Sequence, residues 1–228
     1  MQPETGNTDI ILVCHGQSVQ REGDEILGWW ADVQMSRAGE RQMLLLGDRL
    51  RGEYDFNLLY SSPLRRGKDA AEMLACLLKV VPEEVPELRE LDGGALRSLT
   101  YDQARERYPD LVVHGSFGPE DRVPGGESYA DLHHRIESAM RRILRQARGK
   151  TALVVTHGGP ITAFLRSFLG FSFEDVDRPS FRCDAASLHH LRVDGDDHRS
   201  VIRLNDTSHL ADLPKLKDDE QAAAAHNP

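Results

Sequence analysis

Two short apolar runs in this chain end in the same way. Ile10-Ile11-Leu12-Val13-Cys14 delivers His15-Gly16-Gln17-Ser18, and Ala152-Leu153-Val154-Val155-Thr156 delivers His157-Gly158-Gly159. Runs this short, rich in Ile, Leu and Val and bounded by turn residues, suit strands buried on both faces of a parallel sheet. Open α/β sheets take their ligands in the crevice outside the carboxyl ends of such strands. Two imidazoles delivered there converge, which is a stronger signal than either histidine alone.

A third strand-like run lies at 57–60, and helical spacing fills the intervals. Ser36 is placed as the N-cap of a helix through about Leu50, with Gly39 tolerated in its first turn. Ala70, Ala71, Leu74, Leu77 and Leu78 repeat at helical period within 64–79, and Leu132, Ile136, Met140, Ile143 and Leu144 stripe the longest helix, 127–148. A further helix, 161–169, follows the second His-Gly turn. This alternation predicts a three-layer α/β/α domain around a mainly parallel sheet. Ser187 to Val193 and Arg199 to Leu204 flank Asp194-Gly195-Asp196-Asp197 and read as an antiparallel hairpin at a sheet edge, where two copies can pair as a homodimer. Asp110 to Gly126 carries Gly and Pro without periodicity and reads as a long surface loop, a candidate lid.

The 228 residues suit one domain over 10–211, with a polar, flexible N-terminus (1–9) and a disordered tail (212–228). Twenty-eight Lys+Arg against 37 Asp+Glu give a net charge of −9, which disfavours nucleic acid as a partner, so any phosphate site must be a local basic pocket. Cys14, Cys76 and Cys183 are an odd set without CxxC spacing, which argues against a disulfide framework or zinc site and for a reducing, cytoplasmic setting. No run approaches the ~18 apolar residues of a membrane span, and 1–9 lacks the basic and apolar regions of a signal peptide. His133-His134 and His189-His190 are adjacent pairs that face apart on a helix or strand, and read as structural or exposed rather than as metal ligands.

A neutral imidazole can attack phosphorus when its other ring nitrogen is held protonated by a carbonyl or carboxylate, and His15 is placed for this. Phosphoryl transfer then needs cationic donors for the charge spread over the equatorial oxygens. Tyr60-Ser61-Ser62-Pro63-Leu64-Arg65-Arg66 puts two arginines at the start of a helix, where cations are unfavourable to the helix dipole but a phosphate is welcome. That mismatch favours function for at least one of them. Glu90 can protonate a leaving alkoxide and then serve as base toward water if burial raises its pKa; alone, its acidic surroundings read as a solvated turn.

Together these residues resemble the histidine phosphatase superfamily, which includes the cofactor-dependent phosphoglycerate mutases and many small-molecule phosphatases. The similarity runs from about Ile10 to Leu210. It covers Cys14-His15-Gly16-Gln17-Ser18, Gly28-Trp29, Ser36-Arg37-Ala38-Gly39, Ser62-Pro63-Leu64-Arg65-Arg66 and Glu90 with Gly94-Ala95-Leu96. It continues through Pro124-Gly125-Gly126-Glu127-Ser128 with Asp131, His157-Gly158-Gly159 and Leu204-Asn205-Asp206-Thr207-Ser208-His209-Leu210. The resemblance implies a phosphoglycerate mutase-like fold, phosphorylation of His15, phosphate held by Arg66, stabilisation of the transferring group by His157, and proton transfer by Glu90. Gln17 and the amide of Gly158 lie beside the phosphate in such a site. No metal or cofactor is implied.

The chain departs from the family pattern where an arginine usually precedes the nucleophilic histidine, because Cys14 stands there. A charge-assisted hydrogen bond is worth roughly 1.5–3 kcal/mol, and losing one transition-state donor costs on the order of 10²–10³ in rate. Gln17 stands for a commoner glutamate, Thr162 for an arginine of many relatives, and Arg21 for a small polar residue. Arg21 either reaches back to the phosphate in place of the missing cation or lies on the surface. Cys14 as a cysteine-phosphatase nucleophile lacks the right spacing, since Arg21 falls one residue too late. The expected function is a phosphomonoester hydrolase acting on a small phosphorylated metabolite. One alternative is a phosphoglycerate-type mutase, disfavoured by the short interval from Glu90 to Glu127; the other is a weakened member that binds phosphate ligands or serves a specialised pathway.

Overall fold

Strict alternation along the first strand creates the layers. The computed structural model describes residues 6–19, 32–97, 99–109, 122–172, 181–195, 197–211 and 213. Strand β1 (Thr8–Cys14) turns Ile10, Leu12 and Cys14 to one face and Ile11 and Val13 to the other, all at most 5% exposed. Helices α1 (Arg37–Glu53) and α2 (Arg65–Leu78) cover the Ile11 face through Met43, Leu46, Leu50 and Leu74. Helices α4 (Tyr129–Gln146) and α5 (Gly158–Phe168) cover the Ile10 face through Ile136, Met140, Ile143, Phe164 and Phe168. Between them, β2 (Leu58–Ser61), β3 (Pro82–Glu84), β4 (Thr151–Thr156), β5 (Leu188–Val193) and β6 (Arg199–Asp206) complete a six-stranded sheet of order β3-β2-β4-β1-β5-β6. β1 to β4 are mutually parallel, and β5 and β6 form the antiparallel edge. The three-layer, mainly parallel architecture is therefore as the periodicity predicts. Among the described residues no helix is long and apolar enough to cross a membrane.

Local chemistry explains most boundaries. Ser36 caps α1 by accepting from the Gly39 amide at 3.1 Å. The longest helix starts later than its stripe predicts, at Tyr129, because Ser128 and Asp131 form a capping box that leaves Glu127 outside. Helix α5 starts earlier than 161, with His157 as its N-cap. The expected flexible stretch 1–9 excludes Thr8 and Asp9: Asp9 pairs with the ring of His190 at 2.6 Å and with Arg192 at 2.8 Å, and Thr8 accepts from the Gly149 amide. Two elements carry no apolar signal and were not expected, β3 and the short helix α3 (Tyr101–Arg107). Of the candidate lid, 110–121 lies outside the described residues, as does the tail apart from residue 213.

Candidate active site

The pairing of β1 with β4 sets Cys14 level with Thr156, so the next residue on each strand leaves the sheet beside its counterpart. The His15 amide donates to Thr156 O at 3.1 Å, and the two imidazole centroids lie 5.0 Å apart. From here β1 leads to α1 on one face and β4 leads to α5 on the other. This divergence is the switch point at which an α/β sheet opens a crevice. Backbone packing keeps the His15 turn closed against α1: a Cβ on Gly16 would stand 2.3 Å from Gly39 O, and one on Gly39 only 2.1 Å from Gln17 O. Gly39, expected to be merely tolerated, is required by this contact.

His15 is partly buried, and its Nδ1 lies 2.7 Å from Gly16 O, an acceptor that holds the proton on Nδ1 and leaves the lone pair on Nε2. Arg66, 2% exposed in the first turn of α2, donates from Nε to that Nε2 at 3.0 Å. Burial and then the Arg66 charge push His15 down to about 3, so the ring is neutral at physiological pH. The neighbouring Arg65 points outward, 3.8 Å from Asp69, so only one of the two arginines enters the site.

His157 is fully buried, and burial, then His15 and Arg66, hold it well below the usual imidazole range. Its Nε2 lies 2.6 Å from Ser62 Oγ, and that oxygen accepts from the Leu64 amide at 3.2 Å. Its Nδ1 is buried with no hydrogen-bond partner among the described residues. Gly67 permits this packing, since a Cβ there would come within 2.9 Å of Ser62 Cβ and 3.5 Å of His157 Cε1. In sequence Ser62 is marked only by the Ser62-Pro63-Leu64-Arg65-Arg66 motif; its place as partner to the second histidine has no separate sequence signal.

Glu90 joins the same crevice from an irregular segment. Its carboxylate accepts from the amides of Leu91 at 2.8 Å and Gly159 at 3.2 Å, the latter in the first turn of α5. Burial pushes it above the ordinary carboxylate range, against the lowering effect of those amides and of Arg66 and Arg135. Gly158 stands at the amino end of α5, where unpaired amides and the helix dipole favour an anion.

The remaining expected residues divide. Gln17 is held in the His15 turn, its amide donating to Gln42 Oε1 and its carbonyl accepting from Ser36. Cys14 is 5% exposed within the apolar cluster, and burial drives its thiol far above the usual range, which leaves it a neutral strand residue. Thr162 faces Cys183, Oγ1 to Sγ 3.8 Å. Arg21, Gly28 and Trp29 lie outside the described residues. His189 and His190 are structural: the Asn205 amide donates to His189 Nδ1, and His190 bridges Asp9 and the Tyr54 hydroxyl. Among the described residues no group of three or more His, Cys, Asp or Glu is arranged to hold a metal.

Comparison with known proteins accords with this geometry. Residues 10–207 match the histidine phosphatase superfamily (branch 1). A metal-independent phosphoserine phosphatase of Arabidopsis thaliana is 33% identical over 164 residues, 70% of this chain and 68% of that protein. A probable phosphoglycerate mutase of Yersinia enterocolitica is 33% identical over 168 residues, 71% and 74% of the two chains. The fold is also that of a mycobacterial glucosyl-3-phosphoglycerate phosphatase, with a TM-score of 0.71 and 23% identity over 87% of this chain and 99% of that one. A match extending from the first buried strand to the end of the edge hairpin makes this chain a member of the histidine phosphatase superfamily.

Proposed function

We propose that the protein is a phosphomonoester hydrolase that releases phosphate from a small phosphorylated metabolite through a phosphohistidine at Nε2 of His15, within one catalytic domain spanning 10–211. The observation that carries this reading is the state of His15: a neutral ring with its proton fixed toward Gly16 O and its lone pair facing a buried guanidinium. Such a ring is a competent nucleophile without further activation.

In the first step Nε2 forms a bond to phosphorus and the ester P–O bond breaks. The leaving oxygen takes its proton from Glu90, whose raised pKa favours the acid form. Arg66 passes from Nε2 to the phosphoryl oxygens, so substrate entry also uncovers the nucleophile. His157 offers its unpartnered Nδ1 to the same oxygens, and the Gly158 amide and the Gln17 side chain complete the phosphate cradle. In the second step Glu90, now a carboxylate, takes a proton from water as the water oxygen bonds to phosphorus and the P–N bond breaks. Free phosphate leaves and both groups regain their resting states.

Cys14 contributes no charge to this cycle, so Cys14→Ser retains turnover, and Arg21 is the candidate to replace the missing cation. Rapid mixing with a ³²P-labelled monoester tests the scheme. An acid-labile, base-stable label should remain on the wild-type protein and be absent from His15→Ala; a label that persists in that variant refutes the intermediate. Products from a phosphoglycerate separate the competing reading: free phosphate is expected, and isomerisation without release would make the protein a mutase.

A further inference from the structure

Glu90 has no helix or strand to hold it, yet every carbonyl from Glu87 to Glu90 ends on a side chain. Thr156 Oγ1 donates to Leu88 O at 2.6 Å. The other three acceptors belong to Arg135 on α4: Nη1 donates to Glu87 O at 2.5 Å and Arg89 O at 2.7 Å, and Nη2 to Glu90 O at 3.0 Å. The two remaining N–H groups of the guanidinium go to Glu127, Nε to Oε1 at 2.8 Å and Nη2 to Oε2 at 2.7 Å. All five donors of the fork are thus used. Glu127 then grips the same segment itself, accepting from Arg89 Nη2 at 2.6 Å and the Asp92 amide at 3.1 Å, while its own amide donates to Asp92 O.

The Pro124-Gly125-Gly126-Glu127-Ser128 motif makes this grip possible. Gly94, at φ +49°, and Gly126 pack backbone on backbone, and a Cβ on Gly126 would stand 2.5 Å from Asp92 O. Ser128 and Asp131 start α4 directly after Glu127, which brings Arg135 round two turns later to meet it. Both side chains are largely buried, 12% and 14% exposed. A surface ion pair would tie two side chains together; this one ties a helix to the carbonyls of Glu87, Arg89 and Glu90 around one carboxylate.

We infer that Arg135, braced by Glu127, is a positioning residue for Glu90: it touches no reacting atom and sets the carboxylate where a leaving oxygen can take its proton. The inference rests on the assignment of proton transfer to Glu90. A misplacement of about 1 Å costs on the order of 10²-fold in rate, and that loss falls on leaving groups that need a proton. Phenyl phosphate and 4-nitrophenyl phosphate have nearly the same shape, but nitrophenolate departs readily without one.

The test compares kcat/KM for these two esters in wild type, Glu90→Gln, Arg135→Lys and Glu127→Gln. Arg135→Lys keeps the charge and stem but has three donors and no planar fork, so it cannot span the same acceptors. Glu127→Gln keeps the shape and leaves Arg135 intact, which reads the brace independently if the lysine variant is poorly folded. Glu90→Gln should lose on the order of 10²–10⁴-fold on phenyl phosphate and far less on the nitrophenyl ester. Arg135→Lys and Glu127→Gln should repeat that selectivity at about 10–100-fold. Equal losses on both esters, or none on either, in these two variants while Glu90→Gln is selective would overturn the positioning role alone. An unselective Glu90→Gln overturns the proton-transfer assignment and the positioning role with it.

Discussion

Gly159→Ala isolates the position of Glu90 from the stability of the fold. A Cβ built on Gly159 stands 2.2 Å from Glu90 Oε1 and 3.2 Å from its Cδ, with Leu132 Cδ2 at 3.4 Å as the next neighbour. The atom in the way is the tip of a flexible side chain, so the carboxylate yields and the backbone does not. Reaching an ordinary contact distance takes a shift of about 1.2 Å, the size of misplacement that costs on the order of 10²-fold in rate. Stability moves little, because alanine is favoured over glycine in a helix by about 1 kcal/mol while a hydrogen bond to a charged group contributes about 1.5–3 kcal/mol. The net loss is at most about 2 kcal/mol. We therefore expect kcat/KM for phenyl phosphate to fall roughly 100-fold with a melting temperature lowered by only a few degrees. The double variant Gly159→Ala with Glu90→Asp should be less impaired than the product of the two single losses, since the shorter acid gives back the space. Wild-type kcat/KM in Gly159→Ala would refute the reasoning, and so would strict additivity in the double variant.

Gly39→Ala presents the opposite case, because its Cβ meets Gln17 O at 2.1 Å and Gln17 N at 2.8 Å and neither backbone can swing aside. Despite the gain in helix propensity it should lose more than about 2 kcal/mol in urea unfolding, and an unchanged midpoint would refute the contact. Acid sensitivity has a separate source in His189, which is fully buried and pushed down by burial to about 4. A histidine that titrates near 6.5 when unfolded and near 4 when folded binds its proton more tightly in the unfolded chain. Its stabilising contribution is thus complete above pH 6.5 and lost as pH falls toward 4. Between pH 7 and pH 4.5 that loss is about 2–3 kcal/mol, so His189→Gln should shrink the wild-type decline by about this amount in urea melts at the two values; equal declines would sink the assignment.

The sheet was legible because burial on two faces writes itself into residue type. Ile10 to Cys14 and Ala152 to Thr156 are apolar at nearly every position, and the hairpin turn at Asp194 lies between two short runs that carry Leu, Val and Ile. β3 was not legible: Pro82-Glu83-Glu84 is three residues without an apolar alternation, paired with the free edge of β2 and tied to α2 by the exposed Lys68–Glu84 ion pair. The Thr100–Gln103 capping box that opens α3 is written in the sequence, but seven residues with little burial leave no stripe to accompany it. His15, Arg66, Glu90 and His157 stood out through motif order, and the structure brings all four to one crevice. Arg135 did not, because three of its five partners are backbone carbonyls more than forty positions away. A carbonyl exists at every residue, so such a contact leaves no mark on residue type.

This difference follows how the site is built. His15 and His157 inherit their placement from the register of β1 and β4, Ser62 follows β2, and Arg66 and Gly158 sit in first turns of helices. Their geometry is a by-product of the sheet, so displacing them means disturbing the core itself. Glu90 has no such inheritance, and its position is assembled from Arg135, Glu127, Thr156 and the bare backbone of Gly159. In the proposed cycle, proton transfer is therefore the step that substitutions can weaken while the fold and the nucleophile stay whole. A loss that falls on the poorer leaving group and spares the better one, measured across variants of these four supports, separates damage to that assembly from damage to the sheet.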